Sequence, residues 1–331
     1  MPCRAKHGPA SPQARRNADQ ETPRSDLQTA HSRRSAMSAQ PPMTTDCLHR
    51  FLLDDLDIAG ALVRLGPVWQ KLLQDRGYPL AVARLLGELS ACSLLVGSNL
   101  KQPGRVTLQL RGNGPISLLV IDCNEQLQIR GMAKSAQPTP EGSLRELLGD
   151  GHLLLALDMP SMREPYQSIV PIDGDSIAEV FEQYLGQSVQ LPARLFLAVS
   201  DETAAGLLLQ KLPTTEERDA DGWTRAEALA ATVTRPELLS LAVEELLTRL
   251  FPEEAVRLFP EQAVALNCPE DWQKARALLL ALGPAEVYAT LREQGEVLIR
   301  DDICNREYRF DEHAIAALFA AQAVPPLTPL H

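Results

Sequence analysis

Apolar and polar positions alternate with two different periods along this chain, and the period changes near residue 215. Residues 78–95 carry a broad apolar face at helical spacing and predict a long helix, preceded by a shorter helix at Pro67–Leu73. The next segments are short, alternate apolar with polar residues and are separated by turn residues such as Asn113 and Gly114, so they predict antiparallel strands. Strands or extended segments are expected at 47–65, 105–110, 116–122, 126–131, 152–158, 165–172, 194–200 and 206–212.

From about residue 215 the pattern becomes helical and amphipathic. Apolar side chains recur at helical spacing among acidic residues over residues 215–259. The apolar stripe consists of Leu229, Leu238, Leu239, Leu241, Val243, Leu246, Leu247 and Leu250. Two short helices are then expected at 272–282 and 284–293, followed by a hairpin at 297–310 and a terminal helix at 312–321. Residues 272–321 are therefore expected to form a small folded module.

These patterns predict an α/β (α+β) protein with three folded parts. An N-terminal core with an antiparallel sheet and flanking helices is expected over residues 44–214. A helical linker is expected over residues 215–264, and a small C-terminal module over residues 265–322. A module of this size commonly needs a metal ion or a crosslink to be stable by itself.

Residues 1–43 are of another kind, rich in Pro, Ser, Gln, Ala and Arg, without a hydrophobic period. They carry seven basic residues against three acidic ones and lack the apolar segment of a secretory signal. Such a stretch cannot bury a core. We expect a disordered extension, or a start codon placed too far upstream of Met37 or Met43.

Composition narrows the classes of function. The formal net charge of −11 argues against nucleic acid as the main partner, since such binding depends on clustered Lys and Arg. No run approaches the 18 uninterrupted apolar residues of a membrane span, so no membrane is expected. The six cysteines show no regular spacing and no secretory signal precedes them. A cytoplasmic location is therefore expected, where metal or redox roles outrank structural disulfides.

Several residues that could carry chemistry have a simpler interpretation. Cys92 lies in an apolar helical run and Cys123 in a strand, so both are expected to be small buried hydrophobes. The glycines Gly112 and Gly114 could suggest a phosphate loop, but no helix start with Lys and Ser or Thr follows, which favours a hairpin turn and no nucleotide. No catalytic constellation is visible, so the chain is not expected to be an enzyme.

The most informative chemical pattern lies near the C-terminus. Cys268 and Glu270 are followed, after thirty intervening residues, by Asp301 and Cys304. Two short ligand pairs brought together by folding are what a tetrahedral structural zinc site requires. The pattern is thus the outline of a four-ligand metal site in which two thiols have been replaced by carboxylates.

Several stretches resemble the 33 kDa chaperonin family, the redox-regulated holdases of the bacterial heat-shock response. The matching stretches are Arg111-Gly-Asn-Gly-Pro-Ile116 with Arg130-Gly131, Pro165-Tyr-Gln-Ser-Ile-Val-Pro171, Gly174-Asp-Ser-Ile-Ala-Glu179, Asp221-Gly-Trp223 with Glu227-Ala-Leu-Ala-Ala231, and Cys304-Asn305 with Tyr308 and Phe310. This resemblance implies a chaperone that binds unfolded client proteins without ATP and forms a homodimer when active.

In that family the C-terminal module carries Cys-x-Cys and Cys-x-x-Cys, which hold zinc when reduced and form two neighbouring disulfides when oxidised. The same frame fits here without a gap, so the family's four positions fall on Cys268, Glu270, Asp301 and Cys304. Carboxylate oxygen can ligate zinc, and His313 is the nearest substitute ligand. Either zinc is retained, or the four residues form an ordinary polar rim on a module that folds by packing alone.

The resemblance has consequences for redox control, because each former cysteine pair keeps one sulfur. The two neighbouring disulfides of the family cannot form, but a single bond between Cys268 and Cys304 remains allowed if the module folds as in the family. We therefore expect a cytoplasmic, ATP-independent holdase for unfolding or oxidatively damaged proteins, with thiol control weakened or absent. Two alternatives stay open: a metal-dependent enzyme that uses the same four residues with a water ligand, and a constitutive interaction module whose redox element has decayed.

Overall fold

The computed structural model describes residues 46–100, 102–188, 190–213 and 219–322. The extension predicted at 1–43, and the choice between start codons, lie outside these residues. The strands are β1 (Cys47–Leu53), β2 (Ile58–Leu65), β3 (Arg105–Arg111), β4 (Ile116–Cys123), β5 (Gln128–Ser135), β6 (His152–Asp158), β7 (Tyr166–Pro171), β8 (Ala193–Val199), β9 (Ala204–Lys211), β10 (Val256–Leu258), β11 (Gln262–Ala263), β12 (Ala265–Leu266), β13 (Val297–Asp301) and β14 (Arg306–Phe310). The helices are α1 (Pro67–Leu73), α2 (Leu80–Ser98), α3 (Leu144–Leu148), α4 (Ile177–Ser188), α5 (Gly222–Ala230), α6 (Arg235–Ser240), α7 (Val243–Leu250), α8 (Trp272–Leu282), α9 (Pro284–Gln294) and α10 (Glu312–Gln322).

Two six-stranded sheets form the core. The first sheet has the order β10-β1-β2-β9-β8, with β11 also paired to β1, and all of its pairs are antiparallel. The second sheet has the order β12-β5-β4-β3-β6-β7 and is antiparallel except for the short parallel pair of β12 with β5. The predicted α/β class with antiparallel strands and flanking helices is confirmed.

Helix α2 contacts strands of both sheets, which explains why it is apolar nearly all round. Gly87 allows this close packing, because a Cβ at that position would lie 2.8 Å from the Val199 side chain. Cys92 of this helix and Cys123 of β4 are both buried, as expected. By length and composition α2 could cross a membrane, but 72% of its apolar window is buried inside the protein, as in the core helix of a folded domain.

The outer face of the first sheet is covered by α5, α6 and α7, which we call the helical cover. Its apolar side chains and those of the sheet form a separate cluster. The helical prediction for residues 215–259 is wrong at its C-terminal end. Helix α7 ends at Leu250, and Val256–Leu258 form β10, which pairs with β1. Pro252 cannot continue a helix, and the open edge of β1 offers backbone partners to the chain that follows.

The chain also contains short elements that the sequence pattern did not predict. Helix α3 begins at Ser143, whose side chain accepts a hydrogen bond from the Glu146 backbone while the Glu146 carboxylate accepts one from the Ser143 backbone. The two-residue strands β11 and β12 are too short to show a period. The boundaries predicted between core, linker and module stay predictions.

The C-terminal module has its own core, formed by α8, α9, α10 and the β13–β14 hairpin. Trp272 meets the rings of Tyr308 and Phe310 edge-on, at centroid distances of 4.9 and 5.7 Å. Its buried residues are Ala275, Leu279, Val287, Leu291, Val297, Tyr308, Phe310 and Ile315. The predicted helices and hairpin of this module are present in the structure.

Candidate functional site

The two thiols of the C-terminal motif come together at the end of the hairpin. Cys268 lies just after β12, and Cys304 lies in the turn between β13 and β14, each half-buried. Cys268 and Cys304 line the same cleft, and Cys304 lies close enough to contribute to the raised pKa of Cys268. Folding of the module therefore brings together two cysteines that are far apart in the sequence. Both are free thiols.

Asp301 organises the turn that carries Cys304. Its Oδ1 accepts hydrogen bonds from the backbone N–H groups of Ile303 at 3.0 Å and Cys304 at 3.2 Å. Asp side chains commonly close turns in this way. Its negative charge is also felt by Cys268. Asp301 is thus close to the thiols, but its Oδ1 is already engaged with the turn.

Glu270 is held by other partners. The Arg306 guanidinium lies 2.6 Å from its Oε1, and the indole Nε1 of Trp272 donates to its Oε2 at 3.2 Å. Arg306 also donates to the backbone carbonyl of Cys268 at 3.1 Å. These contacts fix the segment before α8 through an ion pair and keep the Glu270 carboxylate occupied.

The surroundings of Cys268 disfavour its thiolate. Burial raises the pKa of Cys268 to about 12, the interaction with the Cys304 side chain adds to this, and the Arg130 cation opposes it. Because the thiolate is the nucleophile and the metal ligand, Cys268 reacts slowly at neutral pH. Burial therefore outweighs the nearby Arg130 cation at Cys268.

The four residues as arranged do not fit a tetrahedral zinc ion. The one group of three donors within 4.8 Å of one another in the described part of the chain is elsewhere, at Cys47, His49 and Glu261. A zinc site at the hairpin would require Glu270 to leave Arg306 and Trp272. Zinc binding by these four residues stays a prediction, and a metal-dependent enzyme built on them gains no support, because such an enzyme needs converging ligands.

His313, the substitute ligand named from sequence, is exposed in the first turn of α10. The Cys47, His49 and Glu261 group was not recognised from the sequence. A Cys-x-His pair on one strand would have been its only local signal, since alternate strand residues share a face.

The hairpin turn also docks on the core. Arg76, between α1 and α2, donates to the backbone carbonyls of Asp302 at 2.9 Å and Ile303 at 2.6 Å. Lys134 of β5 pairs with the Asp302 carboxylate at 2.9 Å, and Asn305 donates to carbonyls of the α1–α2 loop. The thiol pair therefore lies at the contact between module and core.

Replacing Arg76 with alanine removes two charged hydrogen bonds from this contact. Each such bond contributes roughly 1.5 kcal/mol or more, so we expect hydrogen exchange at residues 301–306 to become at least about tenfold faster. Hydrogen–deuterium exchange mass spectrometry checks this, with exposed Arg276 of α8 changed to alanine as the control. Equal exchange in both variants would contradict the docking role of Arg76.

Comparison with known proteins agrees with the fold. The family model described as Hsp33 protein matches residues 46–311. The chain is similar to the 33 kDa chaperonin of Chromobacterium violaceum, with 41% identity over 276 residues, covering 83% of this chain and 94% of that protein. It is also similar to the 33 kDa chaperonin of Methylobacillus flagellatus, with 39% identity over 284 residues, covering 85% and 97%.

A solved structure gives the same architecture. The crystal structure of the 33 kDa chaperonin, or heat shock protein 33 homolog, of Thermotoga maritima superposes with a TM-score of 0.72 at 23% identity, covering 84% of this chain and 99% of that one. Together with the family model and the two relatives, this leads to one conclusion: the chain belongs to the Hsp33 family of chaperones.

Proposed function

We propose that this chain is a cytoplasmic, ATP-independent holdase, which binds unfolding proteins when the helical cover leaves the first sheet and needs no nucleotide. The observation that carries the proposal is the apolar interface between the helical cover and the sheet. Client binding requires apolar surface that can be exposed on demand, and a folded protein cannot leave a large patch of it open at rest.

The interface consists of long apolar side chains on both sides. On the sheet these include Phe51, Leu53, Ile58, Leu62, Leu207 and Leu209, and on the helical cover Leu238, Val243, Leu246, Leu247 and Leu250. Burying one such side chain contributes roughly 1.5–3 kcal/mol. The helices of the cover have only 6 to 9 residues, and helices this short are not stable in isolation. Their structure therefore depends on the sheet.

Polar contacts hold the cover in register. Arg64 of β2 is buried and donates to the carbonyls of Leu238 at 2.9 Å and Leu241 at 2.7 Å, at the end of α6. Arg194 of β8 donates to Glu227 of α5 at 2.6 Å and to Glu182 of α4 at 2.8 Å. Such a segment is able to open locally without unfolding of the two-sheet core.

The trigger in this proposal is heat or other unfolding stress, with thiol control weakened. The four-cysteine frame is reduced to Cys268 and Cys304, whose adjacency supports one disulfide at most within the motif. That disulfide would join the segment before α8 to the hairpin turn and tie the module together. Oxidation should consequently stabilise the module and leave the helical cover docked.

Dimerisation accompanies activation in this proposal, and light scattering before and after heating tests it.

A client-aggregation assay tests the holdase. The full chain, preheated or untreated, is mixed with a thermally unfolding client enzyme with and without ATP, and light scattering is followed. We expect suppression after preheating, independent of ATP. Suppression that requires ATP, or none under heat or peroxide, would reject the proposal. Suppression only after peroxide would reject weakened thiol control.

Hydrogen peroxide should convert Cys268 and Cys304 into one disulfide. One thiol loses its proton, and the thiolate attacks the O–O bond to give a sulfenic acid and hydroxide, which takes up that proton to become water. The other thiol then displaces the sulfenic oxygen as a second water as the S–S bond forms. We expect thiol titration of the denatured protein to fall by two per chain and aggregation suppression not to increase. The reaction should be slow at pH 7 and accelerate toward pH 12, because the raised pKa of Cys268 keeps its thiol protonated.

A Cys268→Ser variant is the matched control for this reaction, since it leaves Cys304 without a partner sulfur. Cys92 and Cys123 should stay reduced in both proteins, because burial raises the pKa of each thiol. Peptide mapping that links Cys304 to another cysteine, or finds both motif cysteines still reduced after prolonged peroxide at high pH, would contradict the proposed pairing.

A further inference from the structure

A second cluster of metal-ligating side chains lies far from the hairpin, at the edge of the first sheet. Cys47 and His49 are alternate residues of β1 and share one face of the strand. Glu261 directly precedes β11, which pairs with β1 through Cys47 and Leu48. We infer that Cys47, His49 and Glu261 form a zinc site that clips the β10–β11 segment to β1. This inference does not rest on the proposed holdase activity.

The distances between the ligand atoms support a metal site. In a tetrahedral zinc site with bonds of about 2.0–2.3 Å, ligand atoms are separated by roughly 3.3–3.8 Å. The Cys47 sulfur and the His49 Nε2 are 3.5 Å apart. The nearest carboxylate oxygen of Glu261 is 3.9 Å from the same Nε2, and all three ligand atoms lie within 4.8 Å of one another. The Cys47 sulfur and the His49 Nε2 are therefore already at the spacing of two zinc ligands. The exposed Glu261 carboxylate needs only a small inward shift to reach the same spacing.

His49 is the buried member of this group and orients its ring toward the other two ligands. The residue is only 9% exposed, and its Nδ1 is buried without a hydrogen-bond partner in the described part of the chain. Its Nε2 faces the Cys47 sulfur at 3.5 Å and a Glu261 carboxylate oxygen at 3.9 Å. The buried ring is therefore held with Nε2 toward the other two ligands, and Nε2 is the nitrogen that a metal ion in this group would bind.

The donor set is one that suits zinc. Thiolate, imidazole and carboxylate are all common zinc ligands, and a site with three protein ligands leaves one position for water. On binding, the Cys47 thiol loses its proton to solvent, and one thiolate with one carboxylate balances the charge of the ion.

The position of the site defines what the ion would do. Arg64 is the β2 partner of Cys47 in the ladder and holds the end of α6. Zinc at this edge would fasten the segment that follows the helical cover to the strand beneath it. The bound ion would thus stabilise the docked segment by mass action, since it binds only the folded arrangement.

The test uses the full chain with Cys268→Ser and Cys304→Ser, so that the hairpin motif supplies no sulfur. Zinc is added and removed by dialysis, zinc per chain is measured by elemental analysis, and cobalt is substituted to detect sulfur-to-metal charge transfer. We expect about one zinc per chain and a cobalt–thiolate band. Adding Cys47→Ser should abolish both. A protein that binds no zinc, or binds it equally after Cys47→Ser, would overturn the site.

Because Cys47 is buried, its replacement could disturb folding, so an exposed ligand provides the second arm. Glu261→Gln should lower zinc retention and leave the melting temperature of the metal-free protein unchanged. Glu253→Gln, another exposed carboxylate of the same segment, is the matched control and should retain zinc. Equal retention in these two variants would remove Glu261 from the site and overturn the inference.

Discussion

Replacing Arg64 with methionine should produce a chain that suppresses client aggregation without heat or oxidant. The buried guanidinium joins β2 to the carbonyls of Leu238 and Leu241, and methionine keeps the apolar stem but donates no hydrogen bond. Two buried carbonyls lose their charged donor, at a cost on the order of 2 kcal/mol. That shifts the equilibrium toward the released cover by roughly thirtyfold.

The release is measured by aggregation suppression at low temperature and by trypsin cleavage at Arg225 and Arg249 of the helical cover. Arg50→Met is the control, because Arg50 is an exposed arginine on the neighbouring strand β1. We expect faster cleavage and activity in the Arg64 variant only. A cover as resistant to trypsin as in the parent chain would show that Arg64 does not hold it.

Leu246→Ala should release the same interface through packing. Leu246 is fully buried between α7 and the first sheet, so its truncation removes apolar contacts and leaves a cavity. Changes of this kind cost about 2–5 kcal/mol. The cover should melt at a lower temperature than the two-sheet core, and suppression of client aggregation should begin at that lower temperature.

Differential scanning calorimetry with parallel aggregation assays separates the two melting steps. Leu282→Ala is the matched control, since Leu282 ends α8 and is 57% exposed. If Leu246→Ala lowers the stability of the whole core without earlier client binding, the cover does not open as a unit. That result would leave the family assignment intact and reject the location proposed for client binding.

The elements of this fold followed from local patterns. Alternation predicted the strands around Asn113 and Gly114, and the leucine stripe predicted helices that now cover the first sheet. The error at the end of that stripe is instructive. Residues 256–258 lie beyond the last leucine of the stripe, and their alternating pattern is too short to predict a strand by itself. They became β10 because the edge of β1 was open to them.

The candidate site was predictable in part. The frame of Cys268 and Cys304 in sequence indicated that the two cysteines would meet, and in the structure they line the same cleft. The frame did not indicate that Glu270 would pair with Arg306, because Glu270 precedes α8 and Arg306 reaches it from strand β14 of the hairpin. The spacing of ligand residues in the sequence predicts which residues can converge. It does not predict which other side chains, such as Arg306, form ion pairs with those residues.

By itself the sequence determined the class of fold, the apolar faces of its helices and strands, and the loss of two thiols from the C-terminal motif. Only the tertiary structure decided that Arg64 holds α6, and that Cys47 and His49 meet Glu261. The physical reason is that periodicity records which face of an element is buried, whereas a polar contact between distant segments depends on the register in which those segments pair.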